Sequence, residues 1–561
     1  MEVSRFSEFS DMLYPSIFRW GLVLLLILPA CQTQPAALPS KVETPVPVQV
    51  SQSVLTESTS CADTFVTHTL DYTTTTRSEP IRLFESNGSG VAVGDLDGDG
   101  RLDLAFANLG GANTILWNEG NLTFRPEALD DTDSRAVNMV DVDGDNRLDI
   151  VFTHRTAGLS YWRNTGSGGF VRETLPGVYQ LAYAMAWGDL NDDNTLDLVT
   201  GSYDAELNLE LGNTFLFSAG AGIFYYEQQA GKFIPQRLAK EAQSLAIILP
   251  DLNADDRPDI LVGNDFDMQD AAWLREGAGW TAVNPFAATS HSTMSYDTGD
   301  TDNDGRPEIA SVDMKPYGVE VKTLVSWLPV MATMPQQHEA DDPQVMENML
   351  QVRNTQGGFS NEALSRGLDA TGWSWSAKFG DLDNDGFLDF YVVNGMIAYE
   401  LFHHLPGDEL VEQNQALRNL GDGNFAPAPG WNLGSTASGR GMSMADLDND
   451  GDLDIVVNNL RSPAQLFENQ LCGGSGLEVE LSWPDSGNTR ALGAQLVLHT
   501  SAGSYTRDVR AGSGYLSGDP ARVHFGLPAE ATLQRLDIRW PDGSVSHVDT
   551  LVPQTFLTVR R

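Results

Sequence analysis

Seven nine-residue segments carry the chemistry this chain can do: DLDGDGRLD from Asp95, DVDGDNRLD from Asp141, DLNDDNTLD from Asp189, DLNADDRPD from Asp251, DTDNDGRPE from Asp300, DLDNDGFLD from Asp381 and DLDNDGDLD from Asp446. Oxygen side chains stand at positions 1, 3, 5 and 9 of every copy: Asp95, Asp97, Asp99 and Asp103; Asp141, Asp143, Asp145 and Asp149; Asp189, Asn191, Asp193 and Asp197; Asp251, Asn253, Asp255 and Asp259; Asp300, Asp302, Asp304 and Glu308; Asp381, Asp383, Asp385 and Asp389; Asp446, Asp448, Asp450 and Asp454. The main-chain carbonyl of position 7 adds an oxygen, from Arg101, Arg147, Thr195, Arg257, Arg306, Phe387 or Asp452. Position 6 is Gly, Asn or Asp, the types that tolerate a left-handed turn. Five or six hard oxygens on a tight turn suit Ca²⁺ better than Mg²⁺, and no soft or nitrogen ligand invites zinc or copper. Up to seven Ca²⁺ are expected, more weakly at the copies with Asn191 and Asn253. The alternative is a set of metal-free Asp-rich turns. Against it, clustered carboxylates repel one another unless a cation neutralises them. An EF-hand is excluded, because its longer loop, terminal Glu and flanking helices are absent.

The loops must be held by strands. The copies begin 46, 48, 62, 49, 81 and 65 residues apart, a spacing that fits propeller blades of four strands. Apolar stretches flank each loop, as in Val91 to Val93 and Leu104 to Phe106, so each loop caps a hairpin. A second hairpin follows, as in Ile115 to Asn118 with Phe124. The expected fold is all-β: a seven-bladed propeller over residues 61–472, with insertions at 313–349 and 395–414, and a small β domain over 473–561.

These repeats resemble the FG-GAP/VCBS family. The stretches Arg510 to Ser517 (RAGSGYLS), His524 to Leu527 (HFGL) and Arg539 to Ser544 (RWPDGS) resemble the ASPIC/UnbV domain of the cartilage acidic protein group. Asn348 to Gln351 (NMLQ) and Thr371 to Ser376 (TGWSWS) are similar to a bacterial branch of that group. The resemblance implies a calcium-binding, secreted or surface propeller and implies no reaction.

The seventh repeat offers a third strand, Gln465 to Asn469, and then turns into Cys472 where the others continue into a fourth. Asp63 to Thr67 matches the missing strand. Aligning Phe65 with Phe425 and Asn469 with Asn419 brings Cys61 and Cys472 to the same hairpin turn, which predicts a disulfide there. Upstream, Trp20 to Ala30 forms an apolar run too short to span a bilayer. With Cys31 it resembles a lipoprotein signal over residues 1–30, with Cys31 lipidated and the protein at the cell envelope. Simple secretion is the alternative. Glu2, Glu8 and Asp11 suit a basic leader poorly, so translation is expected to start at Met12. The Pro-, Ser- and Thr-rich residues 31–60 read as a flexible tether.

Alternating strands put the Asp loops on one face and the three insertions, Gly201 to Gly212, 313–349 and 395–414, on the other. Binding usually resides in loops on a rigid scaffold, so the insertion face is the expected site for an unidentified protein or glycan partner. Trp327, Trp373, Trp375, His403 and His404 are its candidate contact residues. Packing is the competing role for the tryptophans, and plain surface exposure for the histidines. A rival reading is a lyase or cyclase with a pocket at the central channel. The C-terminal domain carries Arg507, Arg510, Arg522, Arg535 and Arg539 and is expected to dock on an acidic blade or to offer a basic patch. With 77 Asp and Glu against 34 Lys and Arg, the net charge of -43 excludes nucleic acid as a partner and favours a monomer. The loops hold 29 of those 77 acids.

Overall fold

In the computed structural model, residues 45–56, 61–166, 168–216, 221–277, 279–332 and 342–561 are described. Residues 1–30, read above as an export leader, and Cys31 lie outside them. Among the described residues seven sheets follow in chain order, each built on four antiparallel strands, with short added strands extending the sixth to five and the first to six. Their innermost strands are Val91–Gly94, Ser134–Val140, Ala184–Gly188, Ser244–Ile248, Ser295–Gly299, Gly372–Gly380 and Gly439–Ala445. Each touches the next, and the last touches the first, which closes a ring. Covered on both sides, the inner strands are buried along almost their whole length, charged members such as Arg135, Lys378 and Arg440 included. The protein is therefore a β-propeller.

The seventh sheet is completed from far upstream. Thr64–Thr73 pairs antiparallel with Pro463–Gln470, in a register that sets Phe65 opposite Asn469. Beside that seam Cys61 and Cys472 form a disulfide across 411 residues of sequence.

The C-terminal domain is two further four-stranded sheets. One is Gln49–Val54, Thr555–Arg560, Ser475–Ser482 and Arg522–Leu527; the other is Ser504–Asp508, Gln495–Thr500, Leu533–Arg539 and Val545–Val548. Leu477, Val479, Leu496, Leu498, Leu536, Ile538 and Leu557 are buried between them.

The reading of 31–60 as a tether is corrected at its C-terminal end. Gln49–Val54 is an edge strand of this domain, paired antiparallel with Thr555–Arg560. It is fastened at both ends, where Val46 N donates to Val545 O (2.8 Å) and Leu55, itself buried, donates to Gln554 O (3.0 Å). Its own six residues are exposed, so backbone hydrogen bonds rather than apolar burial hold it, and prolines placed before the strand do not interrupt the ladder.

Candidate metal loops and the opposite face

Each Asp-rich segment folds the same way. The position-1 carboxylate turns back and accepts N–H groups of the following turn: Asp95 from Gly100 (2.9 Å), Asp141 from Asn146 (2.7 Å), Asp189 from Asn194 (2.8 Å), Asp251 from Asp256 (2.8 Å), Asp300 from Gly305 (3.0 Å), Asp381 from Gly386 (2.9 Å) and Asp446 from Gly451 (2.9 Å). The position-9 acid ties the loop to its own sheet. Asp103 accepts Leu96 N at 3.0 Å and, from the third strand, Asn118 N at 2.8 Å. Asp149, Asp389 and Asp454 repeat that pair of bonds with Asn164, Asn419 and Asn469.

Position 6 is left-handed throughout, from Gly100 (φ 88) to Asn194 (φ 65) and Asp256 (φ 64). Position 4 is left-handed as well, at Gly98, Gly144, Asp192, Ala254, Asn303, Asn384 and Asn449, a constraint the sequence reading missed. Gly, Asn or Asp at six of those seven positions, all but Ala254, was its signal.

In five loops three carboxylate oxygens converge within 4.8 Å: Asp95, Asp97 and Asp99; Asp141, Asp143 and Asp149; Asp300, Asp302 and Asp304; Asp381, Asp383 and Asp385; Asp446, Asp448 and Asp454. Burial pushes up the carboxyls of Asp95, Asp97, Asp141, Asp143 and Asp300, those of the position-9 acids Asp103, Asp149 and Asp197 to about 7, and that of Asp381 to about 8, with neighbouring acids adding to the rise. Buried oxygens of Asp300, Asp302, Asp383 and Asp448 have no hydrogen-bond partner. Orphaned, desolvated carboxylate oxygens on one turn fit a hard divalent cation, which would take the free lone pairs and offset the repulsion.

The C-terminal domain lies over this loop face. Asn488 N and Ser486 Oγ donate to Asn194 O (2.9 and 3.0 Å), Arg522 donates to Asn449 Oδ1 (3.1 Å) and Gly100 O (3.3 Å), and Arg539 pairs with Asp256 (2.6 Å). A cavity of about 120 Å³ remains between it and the fifth to seventh loops, lined by Asp300, Asp381, Asp446, Arg507, Arg522 and His524.

From this domain the segment Arg510 to Asp519 enters the ring. Its hairpin, Gly512–Ser513 against Ser517–Gly518, adds in parallel to Val91–Gly94. Leu516 O accepts Val137 N (3.2 Å), Gly514 N donates to Tyr296 O (2.8 Å), and Tyr515 N donates to Ser376 Oγ (3.2 Å). Gly90 makes room for it, since a Cβ there would lie 1.7 Å from Leu516 O. At the neck Lys378 pairs with Asp519 and Arg510 with Asp297 (2.6 Å). Burial alone would raise Asp519, but Lys378 and Arg510 hold its carboxyl below the usual range. This segment thus occupies the channel from the loop side.

On the opposite face stand the helices Asp204–Leu211, Val321–Met331 and Tyr399–Phe402, one from each insertion. The candidate tryptophans point inward, a second correction. Trp327 is fully buried and packs at a tilt against Trp373 (5.3 Å), which meets Phe402 edge-on (5.3 Å). Glu412 joins the two insertions by accepting Trp327 Nε1 (3.0 Å) and Trp373 N (2.6 Å). Trp373 and Trp375 belong to the inner strand Gly372–Gly380 rather than to a connection, and Trp375 lies 5.2 Å from Tyr515 and 4.2 Å beneath the Arg440 guanidinium. His403 and His404 are exposed, with rings 6.3 Å apart and perpendicular, and neither joins a cluster of three ligating groups among the described residues. Sequence reasoning missed the outer side of helix Val321–Met331, where Val321, Val325 and Leu328 are 78, 61 and 62 % exposed.

This architecture, a β-propeller of repeated Asp loops capped by a β domain, defines the class. FG-GAP-like repeats match residues 95–152, 141–200, 251–311 and 407–457, and the ASPIC and UnbV model matches 478–561. The chain carries FG-GAP-like repeats and an ASPIC/UnbV domain. Cartilage acidic protein 1 of Homo sapiens is 31% identical over 183 residues, 29% of this chain and 24% of that protein. The Mus musculus protein of the same name is 31% identical over 183 residues and 25% of its length. The chain thus spans about a quarter of the curated relatives it matches. Among solved structures, the Neurospora crassa Pan2 WD40 domain aligns with 70% of this chain and 92% of its own at 9% identity and a TM-score of 0.38.

Proposed function

We propose that this protein is an adhesion-type, calcium-binding extracytoplasmic β-propeller that holds a protein partner on the face away from its Asp-rich loops. The observation that carries this is the division of labour between the two faces. The loop face is taken up by the chain's own C-terminal domain, whereas the insertion face presents Val321, Val325 and Leu328 to solvent on a helix anchored by buried Trp327. Apolar side chains one turn apart on a rigid helix suit a hydrophobic groove on another protein. Trp327, Trp373 and Trp375 are buried and offer no ring to a sugar, although Tyr317 and Tyr399 of the same insertions are exposed.

Calcium would be held by the carboxylates and position-7 carbonyls of the seven segments, where it supplies charge neutralisation and fixes each turn. The Cys61–Cys472 disulfide supports an oxidising compartment. Lipidation at Cys31 accompanies the proposal and is checked by the mass of protein extracted from the envelope. The partner site is tested with a photo-crosslinking residue at Val325 or Leu328, and separately at Arg539 on the other face, in cells that make the protein. One defined adduct from the helix positions alone is expected; adducts only from Arg539, or equal adducts from both, refute the assignment.

A further inference from the structure

The contacts between the C-terminal domain and the loops differ in kind. At the fourth loop the domain offers Arg539 to Asp256, a pair open to solvent on both sides. At the second loop it offers Thr489, which is 1 % exposed and donates its hydroxyl to Asp141 Oδ2, a position-1 carboxylate. Asp141 also accepts Asp145 N on Oδ1 (3.1 Å) and Asn146 N on Oδ2 (2.7 Å). Those two bonds come from the loop itself and move with it. The third comes from a different domain, and Thr489 is held in place because its own carbonyl accepts Trp483 N (2.7 Å). The seventh loop is gripped similarly, through Arg522 to Asn449 Oδ1 (3.1 Å), His524 Nε2 to Gly451 O (3.2 Å) and Gln554 to Asp450 O.

We propose that the C-terminal domain is a shared outer shell of the metal loops and that Thr489 is a positioning residue for calcium at the second loop. The inference rests on the calcium reading above. A buried hydroxyl from outside the loop's own blade fixes the plane of the Asp141 carboxylate, so that its remaining lone pairs are aimed before a cation arrives. Outer-shell hydrogen bonds of this kind typically change metal affinity by about 10- to 100-fold. Linkage makes the effect reciprocal: an ion in the second loop tightens the seat of the domain by the same factor that the docked domain tightens the ion.

The test follows hydrogen exchange of residues 141–149 across a calcium titration of the metal-depleted full chain, in four versions of the protein. Thr489→Val keeps the shape and removes the donor, so its protection midpoint is expected to rise by about 10-fold or more. Thr489→Ser restores the hydroxyl and stays within about 2-fold of the parent, and Arg539→Gln leaves this segment unmoved. At saturating calcium all four reach the same protection. A Thr489→Val midpoint equal to the parent's overturns the inference, as does a protection deficit that saturating calcium does not repair, since that marks a merely structural role. If the parent itself gains no protection from calcium, the calcium reading fails and takes this inference with it, a result separable from the first two.

Discussion

Tyr515 of the C-terminal domain and Tyr183 of the propeller meet hydroxyl to hydroxyl at 2.7 Å inside the ring. Tyr515 also donates to Asn87 O at 3.0 Å, so its single proton goes there and Tyr183 donates to it. A segment 332 residues away in sequence from Tyr183 has become part of the propeller's core.

Truncating that anchor tests how much of the fold depends on it. Tyr515 is fully buried, and loss of a buried aromatic side chain costs about 3–5 kcal/mol, so Tyr515→Ala should lower the denaturation midpoint strongly. Tyr515→Phe keeps the ring and loses the hydroxyl, at about 1–2 kcal/mol. Equal midpoints for the parent and Tyr515→Ala in a denaturant titration would show that the segment does not occupy the channel in solution.

Ring closure predicts a redox dependence. The Cys61–Cys472 bond joins residues 411 apart, for which the chain-entropy estimate is about 6 kcal/mol. Cys472→Ser is expected to unfold at lower denaturant than the oxidised parent, and reduction should bring the parent down to the variant.

The two sides of helix Val321–Met331 should respond oppositely. Trp327→Ala empties a site between Trp373 and Glu412 and should cost about 3–5 kcal/mol. Leu328→Asp changes an exposed position and should stay within about 0.5 kcal/mol while abolishing the partner crosslink. A large melting shift for Leu328→Asp would mean that this side is covered in the free protein.

Asp313, at the start of the longest insertion, gives a pH signature away from the loops. Burial pushes its carboxyl up to about 7, although the N–H groups of Ser292, Met314 and His291 partly counter the rise. Because the folded value lies above the unfolded 3.8, the folded state binds the proton more tightly. This group's contribution to stability is complete below pH 4 and is lost as pH rises to about 7. Asp313→Asn should flatten that part of the stability–pH curve, measured by denaturant unfolding between pH 4 and 7.

Much of this architecture was legible because local pattern and long-range pairing agreed. The Asp loops repeat with apolar flanks, and Asp63 to Thr67 matched a missing strand closely enough to place Cys61 beside Cys472. Elsewhere the signal was present and outweighed. Val46, Val48 and Val50 alternate as a strand should, but the surrounding prolines suggested a tether. Trp373 and Trp375 alternate with serine in a stretch whose two faces both turned out to be covered, which only the ring reveals. The channel-filling segment had no local signal at all. Gly512, Gly514 and Gly518 read as a turn, and what orders it is a set of contacts from the inner strands of several blades.

The central claim is that calcium holds the loops, and through them the seat of the C-terminal domain. The most direct measurement is calorimetric melting of the metal-depleted protein with and without added calcium, paired with a count of bound metal. A melting temperature many degrees higher in calcium, with several ions retained per chain, is the predicted result. The same melting temperature in calcium and in chelator, with no metal retained, would contradict it.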